Sequence, residues 1–481
     1  MLRLGLLVGL LNFALSIYAN NGGHEIVVKF NNFQEKEAYL ATYYGENPFI
    51  VDTVALADDR VVFKGEEVLE SGVYLIVIPP NNQFLQIFID QANQHFELEV
   101  DVAKLDKNDI TIKGSPDNEL FYEYVGFLNS IGPKAQELRQ QIKTGKEAGK
   151  ATTQQEEELN QINQQVKEKQ NQIVAKNPKS MVANWIKFGF EPEIPEYKGE
   201  EETVQRNRFY YRKAHFFDQI DMTDPSHYHN PMMFKKVDYY INQMTPTIPD
   251  SINQSIDLIL EKVRPAQKTF EFYLRHFLNT YAESKLVGMD AVYVHLVDKY
   301  YAAGKADWLE QETLDKIINE AKRLRPLLIG RTAPDIKMTK EDGSKFSLYD
   351  IDSDYTILFF WRPGCSHCEK ATPHLLEFYE KFKDKSVKVM ASCIKIGEEA
   401  PKCWEFVKSK KMEPLINVYD PFNTSKFHRK YDTRITPKIL ILDKDKKILV
   451  NRIGAEQLEE VMDQIIEQDN RKLQEQLENG D

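Results

Sequence analysis

The sequence predicts three consecutive domains: a β-sandwich-like domain, a central all-α domain and a C-terminal α/β domain. Three observations support this division. Short β-branched and aromatic runs fill residues 20–117, helical periodicity follows over 118–329, and strand-like runs alternate with helical ones over 330–481. A chain of 481 residues is also too long for a single hydrophobic core.

Residues 1–19 have the pattern of a signal peptide for export. Arg3 precedes an apolar run over residues 4–17, and Ala19 is a small residue suited to the position before a cleavage site. The run is shorter than the roughly 20 apolar residues that span a bilayer, and Asn12 interrupts it. We therefore expect cleavage and a protein of the periplasm or cell envelope with no stable membrane span. Retention as a membrane anchor is the alternative.

The sandwich prediction for the first domain rests on its short apolar runs. Residues 25–30 and 73–78 are rich in β-branched and aromatic side chains, whereas 84–89 and 96–100 alternate apolar and polar side chains. Turn-forming Asp, Asn, Gly and Pro residues separate these runs. No cluster of candidate catalytic residues occurs in this domain, so it is expected to be architectural.

The all-α prediction for residues 118–329 rests on helical spacing of apolar side chains. Leu159, Ile162, Val166 and Ile173 form a stripe that is too short for a coiled coil and is expected to pack on a neighbouring helix. Glycine and threonine residues between 145 and 153 are expected to break this stretch into a helical hairpin. Further helices are predicted over 251–263, 266–286 and 313–324. This domain is also the candidate surface for oligomerisation.

In the α/β domain, an Asp-Gly turn within residues 341–344 predicts a first hairpin. A second hairpin is expected around residues 447–453, and an amphipathic helix over 456–477 closes the chain. The strands that alternate with helices are predicted at 355–361, 387–394, 415–419 and 438–442. This order of elements is typical of an α/β fold.

Cys365-Ser366-His367-Cys368 is the most informative motif of the chain. It follows a strand-like run and opens a predicted helix, so both thiols lie on the first helical turn. The unpaired N–H groups and positive dipole of that turn stabilise a thiolate at the first cysteine. Such a cysteine can have a pKa of about 3.5 to 7.5. The motif therefore indicates thiol–disulfide exchange.

Residues 330–481 resemble the thioredoxin superfamily, in particular the exported thioredoxin-like proteins of cytochrome c maturation. Trp361 precedes the cysteine motif as at the family's strand-to-helix junction, and Pro373 stands where thioredoxin helices carry a kinking proline. Thr436-Pro437 matches the family's cis-proline. The two preceding domains resemble uncharacterised modules that are fused ahead of such domains in Bacteroides-type bacteria.

The resemblance implies a role for each residue of the site. Cys365 is the attacking thiol, and Cys368 is the buried resolving thiol. The backbone of Thr436 pairs with the substrate strand beside Pro437. His367 precedes the second cysteine, as in strongly oxidising disulfide donors. In this chain, His367 either stabilises the Cys365 thiolate or is an exposed turn residue.

Two positions depart from the family pattern. Phe359 stands where thioredoxins keep a buried aspartate, and Ala371 stands where the maturation reductases often carry a glutamate. Both of those acids accept the proton of the second thiol. Cys368 is therefore expected to deprotonate less readily, with His367, Glu369 or water as alternative acceptors.

Cys393 and Cys403 are the remaining cysteines, so all four lie in the last third of the chain. They form either a second disulfide or two unpaired buried thiols. Their spacing does not decide, because bridging needs Cα atoms within about 7 Å. We favour two unpaired thiols. A zinc site built on Cys365 and Cys368 would need two further ligands and is disfavoured.

Other candidate sites are weaker. Arg362 occupies the position of the threonine that orients peroxide in peroxiredoxins, which disfavours peroxide reduction. His215, His227 and His229 have no carboxylate or cysteine at a diagnostic spacing, so we interpret them as packed or surface residues. No metal or cofactor is predicted.

The function predicted from the sequence is that of a periplasmic thiol–disulfide oxidoreductase with protein substrates and an upstream redox partner. Its direction as reductase, oxidase or isomerase stays open. A cell-envelope binding or scaffold protein with a secondary or degenerate thioredoxin-like domain is the alternative. The net charge of −12, without a basic block, argues against nucleic acid as a partner.

Overall fold

The computed structural model describes residues 22–80, 82–107 and 110–479, and the predicted signal peptide lies outside these residues. Within the described residues, no helix combines the length and the apolar character needed to cross a bilayer. The chain divides by internal contacts into two compact units. Unit 1 extends to residue 244 and includes 262–270, and unit 2 contains 245–261 and the chain from 271 onward.

Unit 1 contains two four-stranded sheets around one hydrophobic core. The described strands are β1 (His24–Asn31), β2 (Glu37–Tyr44), β3 (Asn47–Ala55), β4 (Arg60–Gly65), β5 (Gly72–Ile78), β6 (Gln83–Ile89), β7 (His95–Asp101) and β8 (Ile110–Lys113). The sheet orders are β4-β1-β7-β8 and β3-β2-β5-β6. Ile26 and Val28 of β1 meet Leu40 of β2 and Ile76 of β5 in the core. The β-sandwich-like prediction is confirmed.

Helices follow the sandwich along the chain. Those before residue 244 are α1 (Pro116–Glu147), α2 (Thr153–Lys176), α3 (Met181–Lys187), α4 (Glu201–Ala214) and α5 (Pro231–Asn242). The break between α1 and α2 falls within the predicted hairpin loop. Ile173 of α2 is buried in a cluster with Val73 and Phe88 of the sandwich, so the apolar stripe packs inside unit 1.

The next helices are α6 (Pro249–Val263), α7 (Gln267–Ala282), α8 (Asp290–Leu296) and α9 (Gln311–Leu324). The prediction of a central all-α region is thus confirmed. Its helices are divided between the two units. The domain boundaries after residues 117 and 329 stay predictions.

Unit 2 contains a seven-stranded sheet of order β10-β9-β13-β12-β11-β14-β15. Its strands are β9 (Lys337–Thr339), β10 (Lys345–Ser347), β11 (Tyr355–Trp361), β12 (Val387–Cys393), β13 (Ile416–Tyr419), β14 (Lys438–Asp443) and β15 (Ile448–Asn451). β11 is parallel to β12 and antiparallel to β14. The C-terminal end of β11 and the N-terminal end of β14 therefore lie side by side, at the same end of these two neighbouring strands.

Side chains of β11 alternate between two cores, because successive strand residues point to opposite faces. Phe359 and Trp361 lie in the core that contains Cys368, and Phe360 lies in the opposite core with Leu440. The helices of this part are α10 (Ser366–Phe382), α11 (Lys402–Ser409), α12 (Phe427–Tyr431) and α13 (Leu458–Asn479). The α/β prediction is confirmed.

Candidate active site

Cys365 lies in the turn between β11 and α10 and is the N-cap residue of that helix. Gly364 precedes it with φ of +74°, a left-handed conformation that favours glycine. The backbone N–H of Cys368, in the first helical turn, donates a hydrogen bond to Cys365 Sγ at an N···S distance of 3.4 Å. The turn thus directs a backbone donor at the first sulfur.

The loop before β14 brings a second group of residues to the same sulfur. The Thr436–Pro437 peptide bond is cis, as the resemblance implies. Cys365 Sγ–H donates to the carbonyl oxygen of Thr436 at 3.5 Å, and the Thr436 hydroxyl donates to Cys365 Sγ at 3.7 Å. The structure therefore brings together Cys365, Cys368 and the Thr436-Pro437 loop.

The two thiols differ in burial and in acidity. Burial opposes ionisation of Cys365, but hydrogen bonds from Cys368 and Thr436 outweigh it and lower the pKa of the Cys365 thiol. Burial, followed by the hydrogen bond to Cys365, raises the pKa of the Cys368 thiol. Cys365 is 9% exposed and Cys368 is 0% exposed. Cys365 is therefore the thiol that ionises first.

The surroundings of Cys368 contain no proton acceptor at the two positions where the family places one. Phe359 and Ala371 are buried in the same apolar cluster as Cys368. His367 and Glu369, the alternative acceptors, are exposed. The backbone N–H of His367 contributes to lowering the pKa of Cys365. The geometry therefore favours the interpretation of His367 as an exposed turn residue.

Trp361 lies beneath the site. It is 1% exposed, and its ring lies 4.7 Å from the ring of Phe406. Both residues belong to the cluster that holds Cys365 and Cys368. Trp361 thus packs in the same core as the two thiols, and its supporting role stays a prediction.

Our prediction of unpaired thiols at Cys393 and Cys403 is wrong. The two residues form a disulfide with a Cα–Cα distance of 6.1 Å, and each is 1% exposed. Cys393 ends β12 opposite Trp361 of β11, and Cys403 lies near the start of α11. Packing of α11 against β12 sets this distance, which the sequence spacing does not reveal.

The histidines considered as metal ligands bond to nearby groups of unit 1. A ring nitrogen of His227 lies 2.8 Å from the carbonyl oxygen of Asp221, and a ring nitrogen of His229 lies 2.7 Å from that of Tyr43. His215 contacts a carboxylate three residues further along the chain. Across the described residues, no group of three or more His, Cys, Asp or Glu side chains is placed to hold a metal ion.

Sequence reasoning missed a charged cavity of about 540 Å³ beside Pro437. Lys438, which lines it, is the first residue of β14 and is 6% exposed. One signal was present in the sequence: Lys438 directly follows the cis-proline motif and precedes the apolar run over residues 439–442. Its burial could not be deduced, because it depends on distant segments of unit 2.

Comparison with known proteins identifies the same C-terminal region. Residues 329–450 match the model of the AhpC/TSA family, and residues 149–323 and 24–121 match domains of unknown function (DUF5106 and DUF4369). A thiol-disulfide oxidoreductase ResA of Bacillus cereus is 31% identical over 133 residues, which cover 28% of this chain and 74% of that relative. The chain belongs to the ResA family of thiol-disulfide oxidoreductases. Membership in this family assigns oxidoreductase activity to the protein.

Further members and solved structures are similar to the chain over part of its length. ResA of Bacillus subtilis (strain 168) is 29% identical over 80 residues, which cover 17% of this chain and 44% of that relative. A domain of a possible thiol-disulfide isomerase from Cytophaga hutchinsonii is 38% identical, with a TM-score of 0.28. The match covers 31% of this chain and 97% of that structure. A thioredoxin-like protein from Bacteroides caccae is 21% identical, with a TM-score of 0.43. The match covers 56% of this chain and 96% of that structure.

Proposed function

We propose that the protein is a periplasmic thiol–disulfide oxidoreductase that exchanges disulfides with protein substrates through Cys365 and Cys368. The observation that carries the proposal is the asymmetry of the two sulfurs. Cys365 receives hydrogen bonds from the backbone of Cys368 and the hydroxyl of Thr436, which favour its thiolate. Cys368 is fully buried beside it. One sulfur is thus prepared to attack, and the other is kept for the second step.

In the first step, the Cys365 thiolate attacks one sulfur of a substrate disulfide. A bond forms between Cys365 Sγ and that sulfur, and the substrate S–S bond breaks. The second substrate sulfur leaves as a thiolate and takes a proton from solvent. The N–H of Cys368 and the hydroxyl of Thr436 hold the attacking sulfur in place before the bond forms.

In the second step, Cys368 loses its proton to water and attacks Cys365 Sγ. The Cys365–Cys368 disulfide forms, the mixed disulfide breaks, and the first substrate sulfur leaves as a thiolate. The substrate has gained two electrons and the enzyme has lost two. Because burial raises the pKa of Cys368, we expect this step to be slower than the first at neutral pH.

The exchange is reversible, so the reduction potential of the Cys365–Cys368 couple decides its direction. A potential of about −270 mV would make the protein a reductant, and one of about −120 mV an oxidant. Equilibration of the full chain with glutathione measures this value. In either direction, turnover requires an upstream redox partner that restores the starting state of the couple.

Two features support an exported protein. Residues 1–19 have the pattern of a signal peptide. Independently, Cys393 and Cys403 form a buried disulfide, a bond that persists in oxidising compartments and is rare in the cytosol. We infer that the enzyme acts on proteins outside the cytoplasm.

An insulin-reduction assay with three forms of the full chain tests the proposed chemistry. Cys365→Ser should lose about 100-fold or more of the wild-type rate, because Cys368, the other free thiol of the described residues, is 0% exposed. Cys368→Ala should accumulate mixed disulfides with its substrates, which mass spectrometry identifies. The double variant Cys393→Ala/Cys403→Ala is the matched control and should retain turnover. Equal rates for wild type and Cys365→Ser would contradict the proposal and leave the binding-protein alternative.

A further inference from the structure

The cavity beside Pro437 lies next to the proposed reacting thiol and entirely within unit 2. One wall is the loop that carries Arg434 and Pro437 into β14. A second wall is formed by residues 452–454 after β15, and Ala282 and Glu320 come from α7 and α9. The cavity is therefore bounded both by the sheet that carries the site and by the preceding helices.

Most charged side chains of this cavity already have partners. Arg434 donates to Glu320 at 3.0 Å and to Asp432 at 2.8 Å. Arg452 donates to Asp290 at 3.1 Å. A further arginine of α9 also pairs with Glu320, so three guanidinium groups balance three carboxylates and these pairs do not define a preference for the charge of a ligand.

Lys438 is the exception among the lining charges. It is only 6% exposed, and its ammonium has no hydrogen-bond or ion-pair partner among the described residues. An ammonium that is largely withdrawn from water and has no direct partner is unfavourable, and an incoming anion would relieve the part of that cost that the longer-range attraction of Asp432 leaves. The cavity thus presents one unsatisfied positive charge.

The cavity is lined by residues that follow directly on the loop in contact with the reacting sulfur. Lys438 lies two residues after Thr436, whose carbonyl oxygen is 3.5 Å from Cys365 Sγ. Two extended residues span roughly 7 Å, so a side chain close in sequence to the substrate cysteine can reach the cavity. Ile435, at the rim, is 80% exposed and available to contact the same segment.

We propose that this cavity is a substrate subsite for a carboxylate, namely an aspartate or glutamate side chain near the reacting cysteine of the substrate protein. A carboxylate carries one negative charge and so matches the single unsatisfied ammonium of Lys438. The inference rests on the proposed function, since it requires the substrate cysteine to meet Cys365. Lys438 is then a specificity-determining residue and takes no part in the sulfur chemistry.

The charge state of Lys438 is compatible with this role. Burial lowers its pKa to about 8, so the ammonium is largely protonated at pH 7. The groups that face it from neighbouring elements are Asp432 and Arg434, Glu320 of α9, Arg452 after β15 and Asp290 of α8. Carboxylates ordinarily titrate near pH 4 and guanidinium groups above pH 12, both well outside the interval from pH 7 to pH 9. Lys438 is therefore the member of this group that loses charge over that interval.

Peptide disulfides that differ only by Glu or Gln test the subsite. The residue is placed in turn at each of the three positions on either side of the reacting cysteine, and kcat/KM is measured with the full chain. At one or more positions, wild type should prefer Glu by about tenfold. Lys438→Met should abolish this preference. Lys438→Glu should reverse the charge preference and favour a third peptide, with Lys at the same position, over the Glu peptide. Lys444→Met removes an exposed lysine near the other end of β14 and should leave the preference intact.

A pH series and a binding measurement make the result independent of any single variant. The Glu-over-Gln ratio of wild type should decline as pH rises through about 8, because the amine loses its proton while the glutamate stays charged. Fluorescence anisotropy with cysteine-free peptides and the Cys365→Ser protein should show the same preference without chemistry. Equal treatment of Glu and Gln at every position would overturn the subsite but leave the oxidoreductase intact. Absence of turnover with every peptide, together with equal binding, would overturn both proposals.

Discussion

At the scale of single residues, Cys365 has different hydrogen bonds available in its two protonation states. As a thiol it donates to the carbonyl oxygen of Thr436, and as a thiolate it accepts from the Thr436 hydroxyl and from the N–H of Cys368. The same loop and the same helical turn therefore serve both states. Ionisation of Cys365 needs no rearrangement of either segment.

Removing the hydroxyl of Thr436 should make Cys365 less acidic. Thr436→Val deletes the donor to Sγ but leaves the N–H of Cys368, so we expect the pKa of Cys365 to rise. The pH dependence of alkylation by iodoacetamide measures this pKa. Thr436→Ser restores the hydroxyl and should restore the wild-type midpoint. Identical midpoints for the valine and serine variants would show that the hydroxyl has no such role.

The burial of Lys438 has a consequence for stability that does not depend on substrate. Its pKa is lowered to about 8 in the folded protein, against about 10.4 in an unfolded chain. Between these values the unfolded chain binds more protons, so this residue makes wild type more stable as pH rises from about 8 to about 10.5.

Lys438→Met should therefore increase the free energy of unfolding at pH 7, by up to about 3 kcal/mol. The difference from wild type should shrink towards zero above about pH 10.5. Urea titrations of the full chain across this pH range measure it, with Lys444→Met as the exposed control. A constant difference between the two proteins at all pH values would mean that Lys438 has an ordinary pKa.

At the scale of elements, the Cys393–Cys403 disulfide joins the end of β12 to the first turn of α11. The bond closes a short loop and therefore restricts the unfolded chain. The cluster of side chains around it also contains Trp361, which packs beneath the proposed redox pair. We interpret this disulfide as a structural bond that stabilises the sheet and takes no part in the redox reaction.

Cys393→Ala/Cys403→Ala should lower the stability of the sheet by about 2–3 kcal/mol, the value expected for a loop of this length. Native-state hydrogen exchange of the β11 and β12 amides in the full chain measures the change. Cys365→Ser/Cys368→Ser removes the other pair of sulfurs and should leave exchange of these amides near wild type. If the β11 and β12 amides of the alanine variant exchange as slowly as those of wild type, the disulfide has no stabilising role.

The sequence predicted some elements of the site much better than others. The strand at 355–361 was predicted with the bounds of β11, because a continuous apolar run before a cysteine motif is an unambiguous local signal. The strands β2, β3 and β4 were not predicted. β3 is exposed along nearly its whole length, so it lacks the alternation of buried and exposed residues that marks a strand. A strand can be predicted from the sequence when it has such a local pattern, and β3 lacks one.

The two features missed around the site both depend on contacts distant in sequence. Pairing of Cys393 with Cys403 requires α11 to pack against β12. Burial of Lys438 requires the loop after β15 and the helices that carry Ala282 and Glu320. The proposed roles of Cys365 and Cys368, in contrast, come from the resemblance of the motif to the thioredoxin superfamily, which the sequence itself displays.

At the scale of the whole molecule, the helices α7 and α9 contribute residues to the cavity beside the proposed active site. A domain boundary after residue 329 stays a prediction, and the cavity contains residues from both sides of it. Substrate preference is therefore expected to depend on the helical region of unit 2. The oxidoreductase domain alone would retain the two thiols but lack Glu320 and Ala282.

Export is tested by the mass of the protein recovered from its own cell envelope. We expect loss of residues 1–19, because their apolar run is too short for a stable anchor. Intact-mass spectrometry of the envelope fraction distinguishes the processed chain from the full 56.0 kDa chain. Leu6→Asp/Leu10→Asp interrupts the apolar run and should leave the unprocessed protein in the cytoplasm. Recovery of the complete chain from membranes would instead support retention as an anchor.

The buried Cys393–Cys403 bond affects how any redox titration of this enzyme must be interpreted. A native sample with the proposed active pair reduced contains two thiols, and unfolding in strong reductant releases four. A fit that assumes one two-electron couple would assign electrons taken up by the buried Cys393–Cys403 disulfide to the proposed Cys365–Cys368 couple. Counting sulfhydryl groups in folded and denatured samples beforehand separates the two contributions.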